Sequence, residues 1–500
     1  MRRRAFLAGA AATVATACVP GQVVSSSPSP SASPAPSPTS PPPVTPSPSP
    51  TARVADWNAL AASLRGTLVR PSDAAYDSVR VLYNTRFDAV RPQGIARCAD
   101  ERDVQACVRF TRDAGVPLRV RSGGHSYIGA SSGSGLVVDL RPMSAVSIAG
   151  TRATIGAGAA LIDAYDALSS AGRGIAAGSC PTVGISGLTL GGGIGVLTRA
   201  WGLTCDQLAS ARVVLADGSA VTCDANNEPA LFWALRGGGG SFGAVTSLTF
   251  DTHRAAPLGI AFYSWDSADA AAAIDGWQRW MQDAPDEIWS NVHVSSAGAS
   301  VHVVSPFYGS ALGARLDNLS ALVGRSPSYR ESGVRAFDEV MLLEAGCLGA
   351  TSGQCHLHGA TPDGVLNRES FTARSIVAGA PLSAAAITKL LERGRASGAG
   401  DVLIDSLGGA VSRVAPDATA FPHRGAFAVL QLYAGGAPTA WLNDTFTSLR
   451  PLIGTGAYAN YGDADLTDWQ AAYYGANYAR LQQVKRQYDP GRLFDGPQAI

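Results

Sequence analysis

A histidine and a cysteine stand in two glycine-rich stretches of the chain. His125 lies in "RSGGHSYIGASSG" and Cys180 in "GSCPTVGISGLTLGGGIG". Glycine lets backbone approach a partner closely, and runs of small residues expose N–H groups that suit a pyrophosphate. Imidazole and thiol are nucleophiles that can bond covalently to an electrophilic cofactor. No histidine–cysteine grouping has zinc spacing, that of Cys355 and His358 included, so no metal site is expected. A third cluster, Gly238, Gly240 and Gly243, has the spacing of the dinucleotide fingerprint. Its context is reversed, with a helix expected before it and a strand after it.

The elements around these residues follow from pattern. "VPLRVRSGG" reads as a strand ending in a tight turn, which presents His125. "ADERDVQACVRFTRDAG" reads as an amphipathic helix with Asp100 as N-cap. Its buried stripe is Val104, Cys107, Val108 and Thr111. "ARVVLADGSAVTC" reads as a hairpin with Asp217-Gly218 as a two-residue turn. "EPALFWALRGGGG" is a helix running into a glycine loop, and "AVTSLTF" a strand. Residues 54–257 thus form a glycine-dense α+β block.

In residues 258–454, "SVHVVSPFYG", "DVLIDSLGGAVSRV" and "GAFAVLQLYAGG" read as strands. "SADAAAAIDGWQRWMQ" and "LSAAAITKLLERGRASG" read as helices. A sheet covered by helices would make the wall of a pocket. Residues 455–500 hold one expected helix, "WQAAYYGANYARLQQVKRQY", with Tyr474, Tyr478, Leu481 and Lys485 on one face and Pro490 as its stop.

The formal charge is zero, 39 basic against 39 acidic residues, which gives no field for nucleic acid or an anionic membrane. Residues 1–18 read as an export signal. Arg3-Arg4 ahead of an apolar run resembles a twin-arginine signal, and Cys18 after "ATA" resembles a lipobox. Two outcomes stay open: lipidation of Cys18, tethering the chain to the outer face of a membrane, or cleavage after Ala17, leaving a secreted protein. Residues 19–53 are a Pro/Ser-rich linker of extended, polyproline-like character. Of Cys98, Cys107, Cys205, Cys223, Cys347 and Cys355, the last two bracket a short Gly-rich loop and are the expected disulfide.

Five segments in this order carry a family resemblance: "RSGGHSYIGASSG", "GSCPTVGISGLTLGGGIG", "LFWALRGGGGSFGAVTS", "FPHR" and "YANYGD…YYGANYARLQQVKRQYDPGRLF". Over residues 54–500 the chain resembles the FAD-linked oxidases of the berberine-bridge-enzyme-like group, in the vanillyl-alcohol-oxidase superfamily. The resemblance implies an α+β, two-domain PCMH-type FAD-binding fold. A substrate domain with an antiparallel sheet covered by helices goes with it, and residues 455–500 complete the FAD domain.

It also implies a FAD bonded through His125 to the 8α carbon and through Cys180 to C6. Ser122, Gly123, Gly124 and Ser126 would cradle the pyrophosphate. Gly191, Gly192, Gly193 and Gly195 would admit the nucleotide portion, and Thr182, Gly184 and Asn460 would also line the cofactor. Tyr461, in "YANYGD", would be the general base, although a phenol titrates near pH 10 and needs help at neutrality. Val183, three residues after Cys180, would be the gate admitting O2. Substrate contacts are expected from Ala410, Ser412 and Tyr458.

Alkaloid-cyclising relatives carry a glutamate on the strand before "FPHR". No acid is expected at that wall here, so a small-molecule substrate with a carbohydrate or other alcohol hydroxyl is favoured. The alternatives are a dehydrogenase using another acceptor, a secondary-metabolite oxidase, and a non-catalytic flavin-binding module.

Overall fold

The computed structural model describes residues 54–500 apart from 308, 397, 437 and 438. The export-signal reading, Cys18 and the Pro/Ser-rich linker lie outside the described residues.

The helix Glu101–Ala114 forms as its pattern dictates. Asp100 accepts from the N–H groups of Arg102 and Asp103, and Gly115 closes the helix at φ +64°. Val104, Cys107, Val108 and Thr111 are buried. The strand Leu118–Arg121 runs parallel to Leu136–Asp139, which in turn runs parallel to Gly94–Arg97. Thr67–Val69 completes this four-stranded sheet. Arg121 ends opposite Asp139 in the ladder and pairs with it at 3.0 Å, both side chains buried. That ion pair anchors the strand just before the His125 loop.

A second, five-stranded antiparallel sheet runs in the order Val146–Ala149, Arg152–Gly156, Ala244–Asp251, Leu208–Val214, Ala220–Cys223. The hairpin between the last two strands is one residue longer than expected. Leu215 and Ser219 are still bonded, and Gly218 sits at φ +84°. The loop is Ala216-Asp217-Gly218, with glycine in the left-handed position typical of three-residue hairpins.

The large sheet has seven antiparallel strands. Their order is Tyr329–Arg335, Leu258–Asp266, Gly298–Ser305, Trp289–Ser295, Asp401–Ser406, Ala428–Gly435, Phe371–Ala378. The helices Ala270–Gln282, Ala384–Gly394 and Ala440–Ile453 pack on it, and Ser310–Val323 packs on the first of them. Trp277 donates its indole N–H to Ser290 at 2.9 Å, fixing one helix to the sheet.

Two further sequence expectations change. The segment "DVLIDSLGGAVSRV" is a strand only over Asp401–Ser406, because Gly408 at φ +92° and Gly409 at φ +56° turn the chain into a short 3-10 turn, Gly409–Val411. The C-terminal helix is two helices, Trp469–Tyr474 and Tyr478–Tyr488, separated at Gly475, φ +49°. Tyr474 and Tyr478 nevertheless stack, and Leu481 and Lys485 are buried. Among the described residues no helix is long and apolar enough to cross a membrane.

Candidate active site

The loops carrying His125 and Cys180 meet because two glycines let their backbones touch. A Cβ on Gly123 would lie 2.2 Å from the Gly184 nitrogen, and one on Gly184 would lie 1.9 Å from Ser122 Oγ. His125 Nε2 is 2.8 Å from Thr182 Oγ1, which ties the two loops directly. The imidazole stacks on Tyr83 at 4.0 Å, a contact that sequence reasoning did not find. The Cys180 loop is pinned from behind by the helix Leu161–Ser170. Leu161 N–H donates to Val183 O, Ile162 N–H to Pro181 O, and Tyr165 hydroxyl to Gly178 O.

Both residues open into one cavity of about 670 Å³. Ser122, Gly123, Gly124, Ser126, Val183, Gly184, Gly191, Gly195, Asn460 and Tyr461 line it as well. The backbone N–H groups of Gly123, Gly124, His125 and Ser126 donate to no other group among the described residues. This is a row of free donors along a cavity wall, which fits an anionic cofactor. The hydroxyls of Ser122 and Ser126 are engaged by the protein, Ser122 donating to Ala157 O at 2.6 Å and Ser126 accepting from Ala130 N–H. These serines therefore shape the cradle through backbone.

The later glycines act differently from expectation. Gly192 and Gly193 do not line the cavity, and neither does Thr182. A Cβ on Gly191 would strike Asn460, one on Gly193 Thr204, and one on Gly195 Ala177 O. These glycines bring protein segments together, with only Gly191 and Gly195 also facing the cavity. The loop Gly238, Gly239, Gly240 and Gly243 lines the same cavity, between the helix Pro229–Ala234 and the strand Ala244–Asp251. It is a cavity wall with the element order opposite to a nucleotide fingerprint. "FPHR" holds the glycine loops: Phe421 packs on Gly192 and Gly237, and Arg424 pairs twice with Asp206 at 2.7 Å.

The large sheet supplies the opposite wall. Trp289 and Asn291, Leu403 and Asp405, and Gln431 all face the cavity, the period-two alternation of a strand. Ala410 and Ser412 do not line it; Ser412 hydroxyl donates to Gly409 O inside the 3-10 turn. The expectation of an acid-free wall is thereby overturned, because Asp405 occupies it, joined by Glu344. The early end of the strand at Ser406 explains the miss, and the glycine pair was the available signal.

Tyr458 lines the cavity but its oxygen is occupied, accepting from Gly193 N–H at 3.0 Å, Ile194 N–H at 3.2 Å and Asn460 Nδ2 at 2.8 Å. It clamps the glycine loop and is not free to hold a substrate. Tyr461 stacks on Tyr127 at 5.5 Å and lies edge-on to Tyr458 at 5.0 Å. Gln431 Nε2 donates to Tyr127 hydroxyl at 2.9 Å.

Burial sets the titration of these groups. It drives His125 down to about 3, so its ring is neutral. It pushes the Cys180 thiol up to about 11, with Glu369 adding to the shift. Cys180 is exposed and lines the cavity. Tyr461 is held well above the usual phenol range by burial, then by the charge of Asp405. Among the described residues no cluster of potential metal ligands exists.

The comparisons agree with this geometry. Residues 92–224 match the FAD binding domain family and residues 457–500 the berberine and berberine-like family. The chain is 32% identical to the FAD-linked oxidoreductase YgaK of Bacillus subtilis, over 87% of this chain and 97% of that protein. It is 32% identical to chitooligosaccharide oxidase of Gibberella zeae, over 84% and 89% of the two chains. The structure of glucooligosaccharide oxidase from Acremonium strictum, described with a 6-S-cysteinyl, 8α-N1-histidyl FAD, superposes with a TM-score of 0.78. That likeness has 27% identity and covers 89% of this chain and 98% of that one. With a free-donor cradle beside a paired histidine and cysteine, and with relatives matched along nearly their whole length, the chain belongs to the FAD-linked oxidoreductases of the berberine-bridge-enzyme-like family.

Proposed function

We propose that the chain oxidises a substrate hydroxyl, passing a hydride to a FAD bonded to both His125 and Cys180, with O2 as the final acceptor. The observation that carries this reading is one cavity lined by His125, Cys180, Tyr461 and Asp405 together. FAD, when bound, supplies the hydride acceptor. Thr182 engages His125 Nε2 and so leaves Nδ1 of the neutral ring for a covalent bond. Cys180 carries its proton at neutral pH and must lose it before bonding. Tyr461 is also protonated, so it cannot act alone as base. A carboxylate beside it solves this: Tyr461 takes the substrate's hydroxyl proton as its own proton passes to Asp405.

The wall chemistry supports a polyol. Trp289 offers a buried indole N–H with no partner, and Asn291, Gln431 and Asp405 add donors and acceptors. Carbohydrate hydroxyls present both roles. An amine-bearing substrate is the second reading, favoured by Asp405 and Glu344 in the cavity. Val183, a small side chain lining the cavity three residues after Cys180, supports O2 as the acceptor. Export, with or without a lipid on Cys18, is proposed from the sequence; membrane extraction with and without detergent would sort the two forms.

Acid precipitation is the first test. The yellow colour should stay with the pellet and be lost only when His125→Ala and Cys180→Ala are combined. Anaerobic mixing with oligosaccharides and other alcohols should then bleach the flavin. Tyr461→Phe should slow bleaching by about 10²–10⁴-fold, the usual worth of a general base. Val183→Leu should slow reoxidation by O2 and leave bleaching unchanged. A colourless protein after flavin supplementation would sink the reading.

A further inference from the structure

Tyr83 does not line the cavity, yet its ring lies flat on the imidazole of His125, with centroids 4.0 Å and planes 17° apart. From that place it acts on a flavin only through His125. The two partners of the imidazole restrain it differently. Thr182 Oγ1 meets Nε2 at 2.8 Å, and a single hydrogen bond leaves a ring free to swing about it. A flat aromatic contact on one face removes the swing. Together they fix where Nδ1 points, and a reacting atom held in line needs no search for its partner.

Tyr83 is itself held from two sides. Its N–H donates to Gly124 O at 3.1 Å. Leu82 packs over the same glycine, where a Cβ would lie 3.4 Å from the leucine side chain. These contacts join it to the His125 loop. The other side is joined to residues 368–372, which lead into the outer strand Phe371–Ala378 of the large sheet. Glu369 N–H donates to Tyr83 O at 3.3 Å, and Thr85 N–H to Glu369 O at 2.8 Å. Asn84, fully buried, donates its amide to Phe371 O at 2.8 Å and accepts from Phe371 N–H at 3.4 Å. Arg368 donates to Leu82 O at 2.6 Å and pairs with Asp88 through both terminal nitrogens.

Residues 82–88 are thus a strap between the His125 loop and the sheet that carries the substrate wall. The strapped strand pairs with Ala428–Gly435, which places Gln431 in the cavity. The Cys180 loop takes its support from a different element, the helix Leu161–Ser170.

We propose that Tyr83 is a positioning residue for the bond between His125 and the flavin, and that the strap makes this bond depend on the seating of the large sheet, whereas the bond at Cys180 does not. The proposal rests on the double attachment proposed above. In the step, Nδ1 bonds to the 8α carbon. The 8α methyl group gives up one hydrogen and the imidazole its N–H proton. Both hydrogens and one electron pair pass to the flavin and then to O2, the oxidant, which leaves as hydrogen peroxide.

The experiment reads attachment rather than turnover. Cys180→Ala leaves His125 as the one bonding site, and His125→Ala leaves Cys180. FAD is added to each full-length protein prepared under flavin limitation, and the growth of acid-stable colour is timed. The mass of the flavin-bearing peptide identifies the site. In the Cys180→Ala background, Tyr83→Leu should slow attachment by about 10–100-fold, the scale of a misplaced reacting group. Tyr83→Phe keeps the flat ring and should restore the parent rate. In the His125→Ala background, Tyr83→Leu should leave the rate at Cys180 unchanged. Arg368→Met, which loosens the strap from the sheet side, should give the same pattern with a smaller loss.

A parent rate for Tyr83→Leu at His125, or equal slowing at both sites, would overturn the positioning role. Failure of Tyr83→Phe to restore the rate would overturn stacking as its cause. Should Tyr83→Leu fail to fold, Arg368→Met decides: slowing at His125 alone supports the strap, and parent rates at both sites overturn it. A Cys180→Ala parent whose colour washes out in acid sinks the bond to His125 itself, and the role with it. A parent that keeps its colour beside an indifferent Tyr83→Leu sinks the role alone.

Discussion

Thr182 shows how much of the site hangs on side chains that never face the cavity. Its hydroxyl is the polar partner of His125 Nε2, so that in the proposed flavin bond Nδ1 is the free nitrogen. Thr182→Val keeps the volume and removes that bond, worth about 0.5–1.5 kcal/mol. The expected result is slower covalent attachment at His125, with Cys180 still retaining the flavin. Following acid-stable colour during reconstitution of Thr182→Val would check this; wild-type rates would show that stacking on Tyr83 alone orients the ring. Lys485 plays a similar part for the third glycine loop. Its ammonium donates to Ser241 O at 2.6 Å, Asp489 Oδ2 at 2.8 Å and Phe494 O at 2.8 Å. Lys485→Met would leave the buried Asp489 without its counter-ion, held by the N–H groups of Leu493 and Phe494, and should cost about 3–5 kcal/mol, read by urea denaturation.

At the scale of elements, the site is a meeting of loops that have no room for a side chain between them. Gly184→Ala places a methyl group 1.9 Å from Ser122 Oγ and among the backbone atoms of Gly123. It should separate the His125 and Cys180 loops, so flavin incorporation should fall more than secondary structure does. Circular dichroism beside flavin absorbance would measure both.

This arrangement explains what could be read from the sequence. The helix Glu101–Ala114 was legible because its cap and buried stripe are local. His125, Cys180 and Tyr461 were legible because their motifs are short and contiguous. Asp405 was missed because strand length was judged by side chains, whereas the Gly408-Gly409 pair ends the strand through backbone conformation. Glu344 was missed because only tertiary packing brings it to the cavity, and Tyr83 because only packing sets it against His125. The roles of Gly193 and Tyr458 were misjudged for the same reason, their partners lying far along the chain.

For the molecule as a whole, the cavity is built between the glycine-rich loops and one face of the large sheet, and a disulfide stands close to its acidic end. Cys347 and Cys355 are bonded, with Cα atoms 5.9 Å apart, and Cys347 follows Glu344 by three residues. His356, in the same segment, reaches Asp163 on the helix behind the Cys180 loop at 2.8 Å. Replacing both cysteines by serine should lower stability by about 2–3 kcal/mol from loop closure. Denaturant titration of the double variant beside the wild type checks this.

The alternation along the sheet has a stricter consequence. Trp289, Asn291, Leu403, Asp405 and Gln431 face the cavity, while Val292, Ile404, Leu430 and Leu432 are buried in the core. On the strands Trp289–Ser295, Asp401–Ser406 and Ala428–Gly435 the cavity wall is thus odd-numbered and the residues between are core. One residue inserted in the hairpin before Gly298, or in the approach to Asp401, would swap the two sets on that strand. The site therefore behaves as a reading frame of period two, in which a strand can drift by a pair of residues and keep its chemistry, but not by one.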